Sequence, residues 1–161
     1  MKHAIIPTDF SIRSLQPVHE VMNCYRGQSV QITLLHLVDV PDAIGDLLFR
    51  LRRMESRYPV PADFRQACEV IANKYDNQIA EIKVKVQYGS TAAYLDNLLE
   101  GFGADGVFLQ QGYTMTLPFD ESIDMVPLLR KTKCNIIETS PVRKTEKAGV
   151  SSISDLLLAG N

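Results

Sequence analysis

The run Val30-Gln31-Ile32-Thr33-Leu34-Leu35-His36-Leu37-Val38 limits what this chain can fold into more than any other stretch. Its β-branched and apolar side chains hardly alternate with polar ones, so it reads as a strand covered on both faces. Such a strand belongs to a parallel sheet held between two layers of helices. Four further segments suit the same sheet. Ala4-Ile5-Ile6 is a buried strand that must stop at Pro7, which has no N–H to give a ladder. Ile82, Val84 and Val86 alternate with Lys83, Lys85 and Gln87, the pattern of a strand near the sheet edge with one wet face. Gly106-Val107-Phe108-Leu109 and Cys134-Asn135-Ile136-Ile137-Glu138-Thr139 supply the last two.

Segments with helical spacing lie between them. Leu15, Val18, Met22 and Tyr25 recur after the capping residues Ser11 and Ser14, and Gly27 closes the run. Pro17 falls in a first turn, where its missing N–H is harmless. Asp63 is placed to cap a longer helix that buries Phe64, Ala67, Cys68, Ile71 and Tyr75. Gly89-Ser90 leads into a helix carrying Leu95, Leu98, Leu99 and Phe102, stopped by Gly101 and Gly103. Met125, Leu128 and Leu129 mark another, where Asp124-x-x-Pro127 repeats the pattern of Ser14-x-x-Pro17. Five strands alternating with four principal helices predict a doubly wound α/β sheet. One connection is unusually long: between Asp39 and Pro61 lies an amphipathic insertion, about 42–58, with Ile44, Leu47, Leu48, Leu51 and Met54 on one side. Arg50, Arg53 and Arg57 line a neighbouring side. Pro141 closes the packed unit, which makes 1–141 the domain. Residues 142–161 read as a charged linker, Arg143-Lys144-Thr145-Glu146-Lys147, and a short helix capped by Ser152 that buries Ile153, Leu156 and Leu157.

Composition removes several classes of function. A length of 161 residues suits one domain with its own core, and a formal charge of −2 offers nucleic acid no basic field. No apolar run is long enough to span a bilayer, and Met1-Lys2-His3 enters a strand at once with no cleavable signal region. Cys24, Cys68 and Cys134 are odd in number and form no CxxC pair, as expected of reduced thiols in a cytoplasmic protein. No Cys/His cluster has metal-ligand spacing, and no serine can be matched with a base for nucleophilic catalysis. His36, inside an apolar strand, reads as a satisfied core histidine, and Asp9 as the cap of a turn.

The residues after each strand separate the α/β families. A dinucleotide-binding unit needs G-x-G-x-x-G after the first strand, where this chain has Pro7-Thr8-Asp9, and no Walker A loop is present. A phospho-acceptor domain would close its third strand on an aspartate, but this one runs out at Gln87-Tyr88-Gly89. The chain resembles the universal stress protein family from Lys2 to about Pro141. The resemblance is carried by Pro7-Thr8-Asp9-Phe10-Ser11, Ile32-Thr33-Leu34-Leu35-His36-Leu37-Val38-Asp39, Gly89, Ala104-Asp105 and Cys134-Asn135-Ile136-Ile137, in that order. It implies a five-stranded parallel sheet in the order 3-2-1-4-5, an adenine nucleotide alpha hydrolase-like three-layer sandwich. It also implies a role in stress adaptation and a homodimer through the last strand, whose edge here is Asn135, Ile136, Ile137 and Glu138.

Members of that family that bind ATP carry Gly, two residues, Gly, nine residues, then Gly followed by Ser or Thr. Bare glycines let the backbone approach phosphates, and the final pair offers N–H groups at a helix N-terminus. By resemblance these positions fall at Leu109, Gly112, Ser122 and Ile123, of which only Gly112 keeps the pattern. Asp120 and Glu121 add negative charge beside them. The other half of the site is better kept, since Pro7, Thr8, Asp9 and the backbone at Leu37 would flank an adenosine. The expectation is a non-enzymatic regulatory protein with a degenerate nucleotide site and no cofactor. The alternative is an ATP or AMP binder, or a slow ATPase, in which Arg50, Arg53 and Arg57 form an anion-binding lid. A third reading places a protein partner on the C-terminal helix.

Overall fold

The computed structural model describes residues 1–140 and 156–157; the linker at 143–147, Ser152 and Ile153 lie outside the described residues. The strands are β1 (Lys2–Pro7), β2 (Val30–Val38), β3 (Ile79–Tyr88), β4 (Gly106–Gln110), β5 (Ser122–Ile123) and β6 (Ile136–Thr139). All except β5 run parallel, in the order β3-β2-β1-β4-β6. That is the expected topology, with β6 as the fifth parallel strand.

The helices α1 (Pro17–Cys24), α4 (Ala62–Lys74), α5 (Ala92–Phe102) and α6 (Met125–Leu129) cover the sheet. Alternation along the strands divides the core between its two faces. Ala4, Ile6, Ile32, Leu34 and Phe108 point to the side of Val18, Val21, Phe64 and Ile71, from α1 and α4. Ile5, Leu35, Leu37 and Val107 point to Leu95, Leu99, Met125 and Leu129, from α5 and α6. Each fully buried Leu, Ile or Phe contributes about 1.5–3 kcal/mol from its removal from water. Leu156, far along the chain, is fully buried in the first of these clusters.

Several local expectations shift. Ser14 does not open an α-helix; Ile12–Leu15 forms a 3-10 turn, and α1 begins at Pro17. The N-cap of α4 is Pro61, so Asp63 lies inside the first turn rather than at the cap. Helix α5 is capped by Thr91, runs through Gly101 and ends at Gly103, whose φ of 65° is the left-handed conformation of a C-cap. The insertion forms two short helices, α2 (Ile44–Leu51) and α3 (Met54–Arg57), with no buried residue in either.

Residues 122–123 were missed as a strand. β5 runs antiparallel to the end of β2, pairing Leu37 with Ile123 and Val38 with Ser122. The opportunity comes from Pro7. It ends β1 opposite Leu35, so β2 overhangs its neighbour and the exposed ladder is taken by β5.

Candidate functional site

The carboxyl ends of β1, β2 and β4 meet where the strand order reverses, the place at which open α/β sheets hold ligands. At the floor, Thr8 is fixed before anything else arrives. Its N–H donates to Leu35 O at 2.9 Å, and its hydroxyl accepts from Phe10 N–H at 3.1 Å. The same hydroxyl lies 2.7 Å from Ser14 Oγ, which donates to Ser11 O at 2.7 Å. Phe10 turns through φ 61° at this corner, with its ring against His36, Phe64 and Phe119.

Asp9 is buried, and each of its oxygens is engaged. Oδ1 accepts from Ser11 N–H at 3.1 Å and from the Ser11 hydroxyl at 2.5 Å. Oδ2 accepts from the Tyr113 hydroxyl at 2.5 Å and from Thr116 N–H at 2.8 Å. Burial alone would raise the pKa of this carboxyl, but the four donors outweigh it and hold Asp9 below its ordinary value. The Tyr113 phenol moves the other way, pushed up first by burial and then by its bond to Asp9. Asp9 thus clamps the loop after β4 onto the turn after β1.

His36 is a second clamp. Thr8 O can only accept, so His36 Nδ1 carries the proton and donates to it at 2.7 Å. Nε2 then accepts from the Ser122 hydroxyl at 2.8 Å, while Ser122 Oγ accepts from Phe119 N–H at 3.1 Å. Burial lowers the His36 pKa against the opposing influence of Thr8 O and Asp9, so the ring stays neutral. The core reading of His36 holds, with the addition that the ring ties β5 to the end of β1.

The insertion is tied to the same loop. Arg57 pairs with Glu121, Arg50 reaches Glu121 and Asp46 at 3.4 Å each, and Asp39 N–H donates to Glu121 O at 2.7 Å. Glu121 is held below its ordinary pKa chiefly by the Arg57 hydrogen bond. Arg53 stands apart, its guanidinium 5.1 Å from the Phe49 ring centroid. The charge of Glu121 is therefore matched from within the chain.

The sequence-selected residues separate into two groups. Pro7, Leu109 and Gly112 line a cleft of about 200 Å³, with Tyr113, Met115, Val126 and Arg130 around it. Leu37, Ser122 and Ile123 lie across the loop, paired as β2 and β5; Met115 and Ile123 pack with Leu35, Leu37 and Leu109 between. Thr8 bonds Ser14 and Leu35 within the turn, while Asp9 reaches the loop through Tyr113 and Thr116. Sequence reasoning missed Tyr113, Thr116 and Phe119, because their partners are residues at 9 and 36, about a hundred positions away. At the far edge, β6 pairs with β4 alone among the described residues, and Glu138 receives Arg130 at 2.8 Å. No group of metal-ligating side chains occurs among the described residues, and none of their helices is long and apolar enough to cross a membrane.

No family model and no curated protein matches this sequence. Solved structures do. The hypothetical protein MJ0577 aligns over 89% of this chain and 98% of its own, with 14% identity and a TM-score of 0.54. The hypothetical protein PH0823 aligns over 89% and 99%, with 18% identity and a TM-score of 0.51. Universal stress protein UspA from Lactobacillus plantarum aligns over 85% and 96%, with 17% identity and a TM-score of 0.50. Identities this low speak for architecture, and there the motif order and the strand order agree: the chain has the universal stress protein fold.

Proposed function

We propose that this chain is a universal-stress-protein-like, non-enzymatic binding protein of the cytoplasm whose nucleotide site is closed by its own backbone. The observation that carries this reading is β5. The ladder at Leu37, where an adenosine would lie by resemblance, is bonded to Ile123. Asp9, the other expected contact, accepts four hydrogen bonds from the chain itself. The neighbouring cleft at Pro7, Leu109 and Gly112 has about 200 Å³, below the ~300–1,000 Å³ usual for small-molecule sites. No cofactor is needed for such a role, and regulation would pass through protein contacts, including a homodimer through Asn135, Ile136, Ile137 and Glu138.

The cleft at Pro7, Leu109 and Gly112 favours one second reading, in which AMP or ATP enters after the loop lifts and the arginines at 50, 53 and 57 receive its phosphates. Calorimetry with ATP, AMP and adenosine decides between the two. The first reading expects no affinity tighter than about 1 mM (roughly −4 kcal/mol). A micromolar affinity that weakens in both Asp9→Ala and Arg53→Ala would establish the second.

A further inference from the structure

Helix α2 carries an outward face that nothing in the fold explains. Ile44, Leu48, Phe49 and Leu51 are 76%, 58%, 59% and 49% exposed, and Val40 just before them is 41% exposed. Most of the large exposed apolar residues among the described residues come from this one connection, so they form a patch rather than a scatter. Their exposed surface amounts to roughly 500 Å², near the upper end of what monomers leave bare. The body-facing side of the helix is already used: Leu47 packs by Val38 and Tyr58, and Arg50 reaches Glu121. Gly45 lies among the outward residues, and a side chain there would meet nothing. In an exposed helix glycine costs about 1 kcal/mol relative to alanine, and what it offers in return is a bare surface for close approach.

The charges on this segment are divided by position. Asp42 and Asp46 precede or open the helix, while Arg50, Arg52 and Arg53 end it. Asp42, Arg52 and Arg53 have no ion-pair partner among the described residues. A twofold axis through Leu48 would set a second copy of α2 antiparallel to the first, as an isologous contact requires. Asp42 stands two residues ahead of the helix, and Arg52 and Arg53 directly follow its last residue, so the two signs of charge lie on opposite sides of that axis. In that arrangement the acidic end of one segment faces the basic end of the other, on either side of a Leu48–Phe49 centre. Two such faces together can remove at most roughly 1,000 Å² of surface, the size of a weak, concentration-dependent interface.

We propose that α2 is a self-association surface, pairing antiparallel with α2 of a second copy of this chain. The face is separate from the β6 edge, so a chain using both would join into a tetramer or a chain of dimers. The test uses the full chain in sedimentation equilibrium, with circular dichroism to confirm folding. Leu48→Asp, at a solvent-facing position, is expected to weaken this association at least tenfold while leaving any pairing through β6 in place. Asp42→Arg and Arg53→Asp are each expected to weaken it, and the double variant to restore it. Leu48→Cys is expected to give a disulfide-linked dimer under mild oxidation in a background with Cys24, Cys68 and Cys134 changed to Ser. A wild-type chain that is monomeric at 100 μM overturns both the α2 and the β6 interface. Association unchanged by Leu48→Asp, with no Leu48→Cys dimer, overturns only the α2 proposal. A failure of the double charge variant to restore association, or a monomer that instead co-sediments with anionic phosphatidylserine vesicles, would also overturn it.

Discussion

Asp9 and His36 show how two side chains fix the loops of the candidate site. Removing Asp9 leaves the N–H groups of Ser11 and Thr116 without their acceptor in a partly buried corner. Asp9→Ala is expected to destabilise the fold by about 3 kcal/mol in urea unfolding, the range for losing charge-assisted hydrogen bonds in such a place. It should also lower the Tyr113 pKa in an ultraviolet titration, since the phenol loses its carboxylate neighbour while the rest of its burial remains. His36 gives a dependence on pH. Its folded pKa lies below the ordinary 6.5, so the unfolded chain takes up a proton that the folded one refuses. Stability is therefore full above pH 6.5 and falls as the pH drops from there toward the folded pKa. His19, also lowered by burial, adds to the same slope. His36→Phe should flatten that slope, whatever it does to stability at neutral pH. Of these roles, the sequence disclosed the burial of His36 and the turn at Asp9, because both follow from immediate neighbours. It did not disclose the Tyr113 or Ser122 partners, which depend on a fold that brings positions about a hundred residues apart into contact.

The long elements were legible and the short one was not. Nine unbroken residues in β2 and the period-two pattern of β3 announce themselves. β5 has two residues, one of them serine, in a polar loop, and exists only because β1 stops short of β2. No local propensity encodes a strand of that length; the vacant ladder does. The insertion was legible as amphipathic, yet its outer side faces solvent and its inner arginines face Glu121. Glu121 is thus the tie between α2–α3 and the loop. Glu121→Gln is expected to raise protease cleavage and amide exchange within 39–61, while the melting temperature moves little, because the pairs are solvent-exposed and screened. Protection in 39–61 that matches the wild type would show that packing of Leu47, Met54 and Tyr58 holds the segment without Glu121.

For the whole molecule, the sequence reading closes the packed unit at Pro141 and sets 142–161 apart as a charged linker and short helix. Leu156 bears on how far that separation goes. It is fully buried in the cluster with Val18 and Phe64, His19 Nε2 donates to its carbonyl at 2.7 Å, and Lys74 Nζ donates to Leu157 O at 2.6 Å. Truncation after Ser140 is expected to lower stability by about 2–3 kcal/mol, the burial of one leucine with its hydrogen bonds. An unfolding midpoint equal to that of the full chain would restore the boundary at 141. The amphipathic pattern exposed this leucine, but its seat between α1 and α4 required the layered fold to be in place.

The overhang of β2 beyond Pro7 has a consequence for what such a protein can sense. A metabolite that leaves a pocket is replaced according to its abundance, so occupancy reports the state of the cell. A plug joined covalently to the pocket it fills has a local concentration set by its tether, which no dilution or starvation changes. On the proposed reading, β5 on that ladder insulates the molecule from the fluctuating nucleotide pool, and the input to which it responds arrives at another face.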